Sequence, residues 1–544
     1  MKLKHIIILI SISIFFCGCK KFLEENPYSV LSTNNFYKTA TDAELAITGL
    51  YDILNAQSIQ GQTNHPLWGK GMQYLTNSGV DEVTANTNTL ASDPNALALW
   101  NHTYTAENPN IWNIYFAFYA GINRANFIIE RVPAISMDEE RKKQIVAEAY
   151  YMRGMFYFYL GWLWGGVPLE TSTVPNLTSP RATLKEVLQQ AEADLKKAYQ
   201  ALPPRNPQAG RVNKYSAGGF LAKLYLYEAS CKENNAGQNL NFPLNSFDWV
   251  DPALCYQQAL TVCQDIYSNS SYTLLRPFSY LFLSATEATA RNENMMVVQT
   301  GTGGTLESFL YPSYAGPVGN YLTMGGTLNM VRPVKEGYLR YNANDGRKNG
   351  YSGYLSSTTN FTTLNGHKYY TPDPINAQLT NLCINKWRED DAAARQSRGI
   401  SPFGGETDFA LLRFGDILLM FAEAKFKTGD EPGARALFHE LRLRACSDDA
   451  TKVNAITTVY LKSDFMAELL DERSRELMAE GWRRFDLIRF GKIKSVIAAL
   501  DASFFFNGGD IQSVKTNFQD YKIWFPIPSR DIATNPNLIQ NPGY

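Results

Sequence analysis

The sequence predicts an all-α dominated fold: an irregular αα superhelix of tetratricopeptide-like helix pairs, interrupted by a loop-rich insertion with short strands. Three observations predict it. Capping-box sequences stand at the heads of apolar-periodic runs. Short Gly-, Pro- and Asn-containing links join those runs, which sets neighbouring helices antiparallel. Between residues 269 and 407 the helical texture gives way to closely spaced glycines, among them Gly301, Gly303, Gly304, Gly316 and Gly319.

In chain order, the first element is a leader. Met1-Lys2-Leu3-Lys4 precedes an apolar run from Ile6 to Phe16, and Cys17-Gly18-Cys19 follows it. A basic start before an apolar core reads as a signal peptide over residues 1–18. As a helix the run would be about 16 Å long, against about 30 Å of hydrocarbon in a bilayer. It is too short for a permanent span. Gly18 before Cys19 resembles a bacterial lipobox, which makes Cys19 the expected lipidation site and membrane anchor. Glu24 and Glu25 close behind it resemble a surface-export signal.

Thr41–Glu44, Ser136–Glu139 and Thr183–Glu186 fit the capping box, and Asp251-Pro252 places an N-cap before a proline at the first helical position. With the apolar periodicity they predict helices near 41–57, 110–131, 138–164, 183–201, 214–231, 251–268, 408–428, 431–446 and 463–490. The pairs 183–201 with 214–231, and 408–428 with 431–446, have tetratricopeptide size without its regular spacing. The organisation expected is residues 19–268 as an N-terminal helical region and 269–544 as a C-terminal one. The latter divides into a loop-rich part, 269–407, and a helical part with a tail, 408–544. Within the insertion Met295–Gln299 reads as β-like. Tyr311, Tyr314, Tyr321, Tyr338, Tyr341, Tyr351 and Tyr354 argue for an ordered functional surface there.

Composition narrows the chemistry. The 544 residues include 51 Lys+Arg against 52 Asp+Glu, a formal net charge of −1, so no basic field is available for nucleic acid. Five histidines make a histidine-based metal or catalytic centre unpromising. Outside the leader and Cys19, Cys231, Cys255, Cys263, Cys383 and Cys446 are irregularly spaced and read as buried thiols. Catalytic motifs fail on inspection. His439-Glu440-Leu441-Arg442-Leu443 lacks the second histidine of a zincin helix, and Gly301-Thr302-Gly303-Gly304-Thr305-Leu306 lacks the third glycine of a dinucleotide loop. The charge run Asp471–Glu476 reads as helix-surface pairing at three- and four-residue spacing. No catalytic residue, metal ligand or cofactor is expected.

Several blocks resemble one family. They are Tyr115–Asn126, Ala147–Arg153 with Trp164-Gly165-Gly166-Val167-Pro168, Gly210-Arg211-Val212-Asn213-Lys214, and Leu412–Ala424. Glu472–Leu477 with Glu480–Gly491, and the end Asn535–Tyr544, complete the set. On these the chain resembles the SusD/RagB-like nutrient-binding outer-membrane lipoproteins. The resemblance implies a protein anchored in the outer membrane through Cys19, facing the cell exterior. It would bind a glycan and deliver it to a SusC-like TonB-dependent transporter. By region it implies ligand contacts from Trp100, Asn101 and Tyr104, then from Tyr311, Tyr314 and Tyr321, with Trp112 and Trp164 in the core. The physics suits this, because aromatic faces stack on sugars while amides and charges bond hydroxyls. Two alternatives remain open: a surface glycosidase using two carboxylates, and a capture protein for peptides or other non-glycan nutrients.

Overall fold

The computed structural model describes residues 36–55, 58–59, 62–63, 67–300, 331–348, 353–355, 360–364, 367–371, 375, 379, 382–384, 386–387, 407–504 and 510–544. Cys19, Tyr311, Tyr314 and Tyr321 lie outside them. Helix dominates the described chain, as the sequence predicts.

The first helix, α1 (Ala40–Asp52), is capped two residues before the expected cap Thr41. Thr39 caps it: Asp42 N donates to Thr39 Oγ1 at 3.2 Å, and Thr39 N donates to Asp42 Oδ2 at 2.8 Å. Glu44, left out of the cap, instead receives Arg141 Nε and Nη2 at 2.6 and 2.8 Å. A short strand β1 (Val83–Ala85) and a helix α2 (Pro94–Trp100) lead to α3 (Pro109–Arg131) and α4 (Glu139–Trp164). The cap of α4 is Asp138 and not Ser136, accepting from Arg141 N at 2.8 Å. Thr183 and Glu186 form the predicted box at the head of α5 (Leu184–Ala201). α6 (Lys214–Glu233) follows, and Asp251-Pro252 opens α7 (Pro252–Asn269).

Backbones of α4 and α5 approach closely. A Cβ on Gly154 would meet Ala191 O and Leu195 Cγ at 3.0 Å, and one on Gly161 would meet Leu188 Cδ2 at 2.9 Å. α5 packs against α4 on one side and α6 on the other, so the predicted pair is part of a continuous stack from α3 to α7.

Two predicted helices are only partly helical. The segment 408–428 opens as strand β4 (Phe409–Arg413) before turning into α8 (Phe414–Lys427). β4 pairs antiparallel with β2 (Asn294–Val298), Phe409 opposite Val298. Phe409-Ala410-Leu411-Leu412 is buried on both faces; a short unbroken apolar run carries no period to separate strand from helix. Beyond α9 (Glu431–Ala445), the segment 463–490 breaks into α10 (Phe465–Leu477) and α11 (Arg483–Arg489). Ala479 and Gly481, at φ 60° and 86°, make the turn between them. A Cβ on Gly481 would come within 2.7 Å of Thr76 Oγ1, so glycine serves both the backbone conformation and the close approach.

That break serves a buried ion network, and it corrects the reading of 471–476 as a surface. Glu472, Arg473, Arg475 and Glu476 are all buried. Glu476 accepts from Arg413 Nη1 (2.6 Å), Arg347 Nη1 (3.0 Å) and Arg444 Nη2. Glu480, swung round by the turn, accepts from Arg413 Nε and Lys386 Nζ, each at 2.9 Å. Asp416 holds Lys223 Nζ at 2.5 Å and Arg473 Nη1 at 2.9 Å. Burial alone would raise the Glu476 carboxyl, but Arg444, Arg413 and Arg347 hold it well below the usual range. Likewise Lys223 and Arg473 overcome burial and bring Asp416 to about 2. Arg347 and Lys386 belong to the insertion, and so does Glu293, which accepts from Arg413 Nη1 at 3.0 Å, so this network ties the insertion to the helices. One hydrophobic core runs from Ala43 to Leu538 across residue 268. The five body cysteines are buried.

Candidate functional site

Helix α3 begins where Asn108 accepts from Asn110 N at 3.0 Å and Pro109 takes the first helical position. Its inner face, Ile111, Ile114, Tyr115, Phe118 and Ile122, enters the core. Its outer face carries Trp112, Phe116, Tyr119 and Asn123, spaced four, three and four apart, all partly exposed. Trp112 stacks on Phe116 with centroids 5.2 Å apart and planes at 21°, and the Arg530 guanidinium lies 4.5 Å from the Trp112 centroid.

Across from this aromatic stripe stands the segment 168–179. Asn126 fixes it by donating to Glu170 O at 3.0 Å and Ser172 O at 2.9 Å. Arg153 orients Asn126 through Oδ1 at 2.7 Å and is itself held by Asp194 at 2.7 and 2.9 Å. The tail closes the third side: Asn535 Nδ2 donates to Ser179 O at 2.7 Å, and α12 (Ser529–Thr534) supplies Asp531. The result is a cleft of about 260 Å³ lined by Phe116, Tyr119, Asn123, Glu170, Asn176 and Asp531 among others. Burial pushes the Asp531 carboxyl up to about 6. Aromatic faces beside amides and two carboxyls can stack on a sugar ring and bond its hydroxyls. The volume is below the ~300–1,000 Å³ usual for small-ligand sites, which suits one ring of a chain extending outward.

The sequence-predicted residues fall differently. Trp100 is fully buried, edge-on to Tyr74 at 6.2 Å. Tyr104 is buried against Phe525 at 5.1 Å, with Lys522 Nζ 4.3 Å from its ring centre. Both are core residues with no face to offer a ligand. Asn101, partly exposed, ends α2. Trp164 is in the core as expected, donating to Pro526 O at 3.0 Å, whereas Trp112 stands on the cleft rim. β3 (Val331–Pro333) pairs antiparallel with β1, Ala85 opposite Val331. What sequence reading missed is the stripe Trp112, Phe116, Tyr119, Asn123; its helical spacing was visible, but spacing does not tell an outer face from an inner one.

Among the described residues no three His, Cys, Asp or Glu side chains gather to hold a metal, and no helix is long and apolar enough to cross a membrane.

The described residues thus form a helical scaffold of stacked pairs that carries an insertion and an aromatic, amide-rich cleft. Comparison with known proteins gives it a family. Residues 21–226 match the family described as "Starch-binding associating with outer membrane", and residues 334–544 match the SusD family. The chain belongs to the SusD/RagB-like family. It is 25% identical to SusD-like protein P25 of Formosa agariphila over 100% of both chains. It is also 25% identical to the starch-binding protein SusD of Bacteroides thetaiotaomicron, over 92% of this chain and 90% of that one. Its fold is similar to the crystal structure of a SusD homologue from Bacteroides thetaiotaomicron, with TM-score 0.74 at 22% identity, covering 94% of this chain and 98% of the other.

Proposed function

We propose that this protein is a cell-surface lipoprotein that captures a glycan and hands it to a SusC-like TonB-dependent transporter. Similarity along nearly the whole chain to a starch-binding protein carries the reading, and the α3 cleft supplies chemistry that suits it. Capture is non-catalytic in this account. A ring stacks on Phe116 and Tyr119, and Asn123, Asn176 and Asp531 take its hydroxyls. The segment with Asn101, and that with Tyr311, Tyr314 and Tyr321, form a second contact surface for a longer chain. Lipid on Cys19 keeps the domain at the membrane; two or more acyl chains hold stably at about 0.8 kcal/mol per buried methylene. Tethering near a transporter raises the local concentration of captured ligand.

Affinity electrophoresis against a glycan panel tests capture, with reducing-sugar release measured in parallel. Binding without release is expected; release of sugar would instead favour the glycosidase reading. On the glycan that binds, Phe116→Ala should weaken affinity by about 1–3 kcal/mol with an unchanged melting curve. Full affinity in that variant would remove the cleft from the site.

The handover has its own test. Gentle detergent extraction followed by affinity purification should recover a barrel protein in near-stoichiometric amount. Cys19→Ala should release the lipoprotein from membranes. Recovery of the lipoprotein alone across several mild detergents would sink the transporter pairing.

A further inference from the structure

A second cavity, of about 390 Å³, lies between the α5–α6 connection and the start of β2. It differs from the α3 cleft in chemistry. Arg205, Arg211 and Arg291 stand around it, and Asn294, Asn213 and Tyr272 line it. Asn294 is only 9% exposed, and its Oδ1 meets no hydrogen-bond donor. A buried amide left without its partner is costly unless something else completes it.

The charges do not cancel. Glu148 accepts from Arg211 Nη1 at 3.1 Å but is shared with Arg141 at 2.9 Å, and Arg141 also holds Glu44. Those two arginines and two glutamates balance. Arg291 reaches Glu287 at 3.5 Å, and Asp408, hydrogen-bonded to Glu287, also faces it. Arg205, exposed, has no ion-pair partner among the described residues. Arg205 is thus the guanidinium beside the cavity that no carboxylate of the described residues holds, in a protein whose overall charge is −1.

The wall is also set in advance. Asn206 Nδ2 donates to Val212 O at 3.1 Å, Gln208 N donates to Asn206 Oδ1 at 3.1 Å, and Val212 N donates to Tyr51 Oη at 3.1 Å. The Arg211 guanidinium sits 4.4 Å from the Tyr51 centroid. Asn213 donates to Tyr272 Oη at 2.6 Å.

We propose that this cavity binds the anionic group of an acidic saccharide, a carboxylate or sulfate ester on a sugar ring. The proposal rests on the glycan-capture reading and names the ligand class. Guanidinium forks match planar carboxylate and sulfate oxygens and hold them as paired, charge-assisted bonds. Arg205 and Arg291 take the anion, while the Asn294 amide and Tyr272 bond ring hydroxyls.

The test uses the full soluble chain in affinity electrophoresis and calorimetry against polygalacturonate, a sulfated galactan and a neutral β-glucan. Tight binding to at least one acidic polymer is expected, falling several-fold between about 50 and 500 mM salt as the charges are screened. Arg205→Ala/Arg291→Ala should reduce that affinity at least ten-fold with an unchanged melting curve, and Arg205→Lys/Arg291→Lys should restore part of it. Which acidic polymer responds separates carboxylate from sulfate. Binding only to the neutral glucan would overturn the acidic site and leave glycan capture intact. Acidic binding untouched by the double alanine variant would overturn the site as well. Failure on all three polymers would overturn it too, and a wider neutral panel would then show whether capture itself stands.

Discussion

Glu476→Gln should destabilise the protein by about 3–5 kcal/mol, the usual result of removing one partner from a buried ion cluster. Glu476 is fully buried and accepts from Arg413, Arg347 and Arg444. Glutamine keeps the shape but offers a neutral oxygen to three cations that cannot reach water. Denaturant unfolding should show the loss as a lower midpoint with little change in slope. Glu140→Gln is the comparison, since Glu140 meets Lys143 on an exposed helix face and should leave the midpoint where it was. Equal effects from the two substitutions would mean that the network does not hold the fold. Acid should act in the same direction. Glu476 and Asp416 have depressed carboxyl pKa values, so their contribution is complete above the unfolded value near pH 4 and is lost as pH falls further.

Glu228→Gln should do the opposite and stabilise, by an amount that depends on pH. Glu228 lies on α6 and is buried. Its nearest polar partner is Cys255, whose thiol donates to Oε2 at 3.6 Å. Burial, helped by Glu192, pushes its pKa up to about 8, against lowering by Cys255 and Lys196. The folded state then holds a proton that the unfolded chain releases near pH 4.5, so wild-type stability declines as pH rises from about 4.5 to 8. Glutamine does not titrate. The gain in unfolding free energy over wild type should grow across that window and level off above it, reaching on the order of a few kcal/mol. A difference between variant and wild type that stays constant from pH 5 to 9 would show that Glu228 does not titrate in this way.

Much of the scaffold was legible because capping and periodicity are local. Thr183 with Glu186, and Asp251 with Pro252, mark the starts of α5 and α7 as read. Where two solutions competed locally, the tertiary partner decided: Glu44 went to Arg141 and left the cap to Thr39 and Asp42. The charge run 471–476 was misread because three- and four-residue spacing is the same on a buried helix as on an exposed one. Only its partners Arg347, Arg413, Arg442 and Arg444, distant in sequence, reveal that it is buried. The same limit inverted the aromatics. Trp100 and Tyr104 pack inward while Trp112, Phe116 and Tyr119 look out, and no local pattern separates the two cases. The arginine cavity was invisible for a further reason, since Arg205 and Arg291 meet only through the fold.

The two short ladders that flank residues 301–330 bear on how such a chain diversifies. On one side β2 pairs with β4; on the other, β3 pairs with β1. Both ends of that stretch are therefore anchored to strands whose neighbours belong to the scaffold. For a flexible segment fixed at both ends, each doubling of length costs about 0.6 kcal/mol in closure entropy. The frame itself tolerates wide change in sequence: the fold is similar to that of a SusD homologue at TM-score 0.74 with only 22% identity.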